Sequence, residues 1–147
     1  MDVESTLNEL SELLCGLNYE VFLLLYKVPH VPGAGVEHYV SAALGPTALV
    51  DGSCSLSGPD VLATVEVSLR YSGNYGHGPF PSVLSSEKFE FLLERVLSHV
   101  EQITASATLI EKFWLKDSHS IGSVFWGFAF VIAGPDGAEV FIGSSSD

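Results

Sequence analysis

The sequence predicts an α+β fold: a mostly antiparallel β-sheet with an N-terminal helix and one long central helix packed on a face. Three observations carry that expectation. Residues 3–17 and 85–101 place apolar side chains at helical spacing. The last third of the chain holds three strand-like runs in succession. Two of these runs flank Gly134-Pro135-Asp136-Gly137, where proline presets a turn and glycine supplies a left-handed position.

Along the first helix, Val3, Leu7, Leu10, Leu13, Leu14 and Leu17 form one stripe. Asp2 suits its start and Gly16 its stop, and Cys15 beside Leu14 is expected on the packed side. The run "YEVFLLLYKV" (19–28) reads as a buried strand that ends at Pro29. Residues 29–60 are rich in turn formers, with short strands expected at 36–43 and 47–51. "VLATVEVSLRY" (61–71) alternates polar and apolar residues, the mark of a half-buried strand.

A long loop, "YSGNYGHGPFPS" (71–82), leads to the central helix. Ser85 or Ser86 caps that helix, and Phe89, Leu92, Leu93, Val96, Leu97 and Val100 form its core side. Strands are then expected at 107–116, 123–133 and 138–143, the second apolar on both faces and therefore central. The chain reads as a single domain over 1–147, with 143–147 as a frayed tail.

Composition narrows the function classes. Hydrophobic residues make up 47% and charged residues only 16% of the 147, enough for a sizeable core. Eighteen Asp and Glu against six Lys and Arg leave a net charge of −12, which repels nucleic acid and anionic membranes. A basic protein partner, a cation or simple solubility fit that charge. The nearly continuous apolar run from Val124 to Ala133 is about half of the ~20 residues a membrane helix needs. The start "MDVESTLNEL" lacks a secretory pattern, and two lone cysteines, Cys15 and Cys54, suit free thiols in a reducing cytoplasm.

Chemistry-bearing patterns are sparse. His30, His38, His77, His99 and His119 show no metal-ligand spacing, so neither a metal nor another cofactor is expected. His99, on the flank of the long helix, is expected to be solvated. No G-x-S-x-G, protease cysteine signature or phosphate loop occurs, and no catalytic residue is assigned. The expectation is a protein without enzymatic activity.

Recognition residues are easier to name. Glu87, Glu90, Glu94 and Glu101 share one side of the long helix, and Phe91 lies beside them, away from the core stripe. An aromatic anchor among steering acids suits the centre of a protein-binding patch. In the 71–82 loop, Asn74, Tyr75 and His77 offer contact area and hydrogen bonding. The acidic row and the ending "VFWGFAFVIAGPDGAEVFIGSSSD", in an acidic chain without catalytic motifs, make the protein resemble the immunity proteins of bacterial toxin systems.

That resemblance implies a cytoplasmic bacterial protein that binds and neutralises a basic protein toxin. One alternative is a small-ligand-binding or hydrolytic domain in which the 71–82 loop is a lid and His77 its polar group. A homodimer across an exposed strand or the Phe91 face is a further alternative.

Overall fold

A computed structural model describes residues 2–74, 76–116 and 125–147. Among these residues five strands, β1 (Glu20–Val28), β2 (Val50–Ser55), β3 (Leu109–Leu115), β4 (Gly127–Gly134) and β5 (Gly137–Ser146), form one sheet. Their order is β1-β5-β4-β3-β2, and every neighbouring pair is antiparallel. The described helices are α1 (Val3–Leu14), α2 (Val36–Leu44), α3 (Gly58–Leu69), the single turn α4 (Pro81–Leu84) and α5 (Glu87–Ala105). The α+β fold with an antiparallel sheet is as the sequence predicts.

Local chemistry sets the helix starts. The Asp2 side chain accepts from the Ser5 N–H at 2.7 Å, and Ser86 Oγ accepts from the Phe89 N–H at 3.2 Å. The periodic apolar side of α1 buries Leu7, Leu10 and Leu14, and that of α5 buries Phe89, Leu92, Leu93, Val96 and Val100. Helices α1, α3 and α5 cover one face of the sheet, against Val21, Leu23, Phe128, Phe130 and Phe141. On the other face α2 packs Tyr39 and Val40 against Phe113, Val131 and Val140. Strand β4 contributes to both layers, which accounts for its apolar run.

Five expectations are corrected. Of the strand expected at 61–71, residues 61–69 belong to helix α3. Val61, Val65 and Leu69 recur every fourth position, a spacing shared by helix and strand periods. The discriminating position is Val67, which a strand would have buried and which is 73% exposed. Ser57 and Asp60 form a reciprocal capping box at 3.2 and 3.4 Å, with Pro59 in the first turn, and these residues start the helix. The strand expected at 36–43 is likewise helix α2, whose buried Val36, Tyr39 and Val40 follow a three-four spacing. The neighbouring strand is β2, which begins at Val50 and runs beyond the expected 47–51.

The tail is not frayed. Strand β5 continues to Ser146, which pairs with Glu20, and Ser144 and Ser145 are buried. Ser145 Oγ accepts from the Trp126 N–H at 3.0 Å, while the Ser145 N–H donates to the Trp126 carbonyl. Ser145 is tolerated there because its hydroxyl and backbone find partners at the sheet. Cys15, finally, is exposed at the end of α1 instead of packed, as is Cys54 in β2. Residues 123 and 124 of the expected 123–133 strand, and His119, lie outside the described residues.

Candidate functional site: the acidic helical layer

Helices α1 and α5 lie antiparallel. Lys88 Nζ sits 3.7 Å from Glu9 on α1, whereas Val3 and Thr6 at the start of α1 face the stretch from Arg95 to Gln102. The two helices leave a groove of about 500 Å³ lined by Val3, Thr6, Phe91, Glu94, Ser98 and Gln102. Phe91 is 51% exposed there, and the Arg95 guanidinium lies 5.6 Å from its ring centroid in a cation–π contact. Glu87, Glu94 and Glu101 are exposed on the same outer surface.

Glu90 behaves differently from its neighbours. Its carboxylate is gripped by Arg70 at the end of α3, Nη1 to Oε1 at 2.7 Å and Nη2 to Oε2 at 3.0 Å. Hydrogen bonds from Arg70, reinforced by its charge, hold the Glu90 carboxyl below the usual carboxylate range. The Arg70 guanidinium is correspondingly raised, first by Glu90 and then by Glu66. Of the four carboxylates expected to act together, Glu90 is therefore already engaged in an ion pair. Across the layer, α1, α3 and α5 with their caps carry ten carboxylates against three cations, Arg70, Lys88 and Arg95. The excess acid of the chain is concentrated on this side.

The 71–82 loop is placed elsewhere. Asn74 and His77 bond each other through their backbones at 2.8 and 3.0 Å, and Tyr75 between them lies outside the described residues. Gly78 pairs with Leu17, and the Asn18 side-chain amide donates to the Gly76 carbonyl at 3.2 Å, so the loop docks on the α1–β1 turn. Gly16 has no room for a Cβ because the Gly78–Pro79 backbone lies against it. None of the loop's described residues lines the Phe91 groove.

Aromatic packing anchors the loop. Tyr71 stacks on Tyr19 and Phe125 with centroids 5.8 and 5.7 Å apart, and the His77 ring lies 5.7 Å from Phe125. His77 Nδ1 is buried without a partner among the described residues. The Trp126 indole N–H donates to the Tyr19 hydroxyl at 2.7 Å. Burial pushes the Tyr19 phenol up to about 12, against a smaller opposing effect of that hydrogen bond.

His99 corrects the expectation of a solvated ring. Its Nε2 lies 2.9 Å from Glu139 Oε1 on β5, with both side chains largely buried. The pair borders a second groove, of about 630 Å³, together with Lys27, His30 and Asp136. Sequence reading had no signal for it, since the partners are 40 residues apart and on different elements. Among the described residues no group of three or more His, Cys, Asp or Glu is placed to hold a metal ion, and no helix is long and apolar enough to cross a membrane.

No family model, curated protein or solved structure matches the chain.

Proposed function

We propose that this chain is a non-enzymatic protein-binding module that docks a basic protein partner on its helical layer. In its most specific form it is an immunity or antitoxin-like protein that neutralises a basic toxin in the cytoplasm. The observation that carries the reading is Phe91, a half-exposed ring on a layer with a large carboxylate excess. Long-range attraction would raise the association rate, and burial of Phe91 would slow dissociation.

The test is coexpression with the product of the adjacent reading frame. Growth arrest by that product should be relieved by the wild-type chain and not by Phe91→Ala. The triple variant Glu87→Gln, Glu94→Gln, Glu101→Gln should slow association at low salt and match wild type at high salt. An adjacent product that causes no arrest and does not bind would refute the toxin assignment. Binding indifferent to Phe91 and to salt would refute the docking face.

A small-ligand reading keeps one specific support, the groove beside His30, His99 and Glu139, whose volume falls within the range of ligand pockets. That groove, and not a cavity under the 71–82 loop, is where such a ligand would sit.

A further inference from the structure

Glu87, Glu94 and Glu101 are each seven residues apart on α5, so they fall on nearly one line along the helix, about 10 Å between neighbours. Removing Glu90 from the set, through its clamp with Arg70, is what leaves this regular spacing. Phe91 lies one turn beyond Glu87, between the first two carboxylates. We infer that the partner presents a basic amphipathic helix of about four turns, with Lys or Arg every seventh residue and an apolar side chain that meets Phe91. This inference rests on the protein-binding reading above and names the element that reading leaves open.

The walls of the groove favour a helix over an extended segment. Both α1 and α5 use their backbone groups internally, so neither offers a strand edge to a visiting chain. An extended peptide laid there would gain no backbone hydrogen bonds from the protein, whereas a helix brings its bonds with it. Two antiparallel helices with a depression between them also accept a third by packing ridge into groove. Charge completes the match: Glu94 lines the groove and Glu87 and Glu101 stand a further two turns away on either side. A partner helix running along α5 meets all three only if its cations repeat with the same period. Arg95, over the Phe91 ring, sets the limit on one side, because a cation placed there would meet like charge.

The experiment uses two synthetic peptides of about eighteen residues and identical composition, built from Ala, Leu and Lys. In one, lysines repeat every seven positions with leucines a turn away; in the other the same residues are shuffled out of that period. Binding to the full chain is measured by calorimetry, and helix formation by circular dichroism, for wild type, Phe91→Ala and the Glu87/Glu94/Glu101→Gln triple variant. All these positions are exposed, and thermal melts establish that each variant is folded.

The periodic peptide should bind wild type at least about tenfold more tightly than its shuffled counterpart, gain helicity, and lose about tenfold on Phe91→Ala. Equal binding of the two peptides, both still dependent on Phe91, would overturn the helix and leave the docking face standing. Binding that ignores Phe91 and the three glutamates would overturn both.

Discussion

Arg70 Nη1 and Nη2 hold both oxygens of Glu90, at 2.7 and 3.0 Å, while Arg70 Nε reaches Glu66 Oε2 at 2.9 Å. One guanidinium thus ties the end of α3 to the first turns of α5 and removes a carboxylate from the outer row. Its geometry is bidentate, the form in which an exposed ion pair is most specific. The pairing gives the two helices a defined lateral register beyond what their apolar contacts supply.

A pH signature follows for Glu90. Its folded carboxyl is held below its ordinary value, so its contribution is fully present above about pH 4.3 and is lost as the pH falls through the folded value. Glu90→Gln should lower the melting temperature slightly at neutral pH, as expected for an exposed pair. That difference should vanish in strong acid. Melting curves of both proteins across the acid range check it; a gap that stays constant into strong acid would show that Arg70 does not act through charge.

Tyr19 gives the opposite limb. Its folded phenol, pushed up to about 12 by burial, keeps its stabilisation in full below about pH 10. The contribution is lost as the pH rises towards the folded value. In an ultraviolet titration, Tyr19 should be the late tyrosinate, and Tyr19→Phe should remove that late phase. The same variant leaves the Trp126 indole N–H without its acceptor and should cost about 1–2 kcal/mol in urea unfolding. A Tyr19→Phe protein as stable as wild type, with the late phase intact, would contradict the assignment.

The His99–Glu139 pair should show strong coupling. Glu139 keeps only 12% of its side chain exposed, so His99→Ala strands a carboxylate and should cost about 1–3 kcal/mol. Adding Glu139→Ala in the same chain should recover part of that loss, because both members of the pair are then gone. Unfolding free energies of the two single variants and the double close the cycle. Strictly additive losses would mean that the contact contributes nothing.

What the sequence showed depended on whether a signal was local. Helices α1 and α5 were legible because their apolar periods run for several turns behind visible caps, Asp2 and Ser86. The β4–β5 hairpin was legible from its Gly-Pro-Asp-Gly turn. Helix α3 was misread because Val61, Val65 and Leu69 satisfy two periods at once, and the capping box that decides between them begins upstream at Ser57. The exposed Phe91 could be placed from helical geometry alone. Its Arg95 cover, the Arg70 clamp on Glu90 and the His99–Glu139 contact are side-chain or tertiary partnerships that no periodic pattern announces.

Among the described residues strand β1 has a single neighbour in the sheet, β5, and their register joins Glu20 to Ser146. A nascent chain therefore carries β1 unpaired until β5, the last of the five strands, has been synthesised. Closing so large a loop is entropically demanding, and topologies dominated by such distant pairings fold slowly. Until then α1 is the local element able to shield the apolar side of β1, which makes the amino-terminal helix a holding cover during assembly as well as one wall of the finished groove.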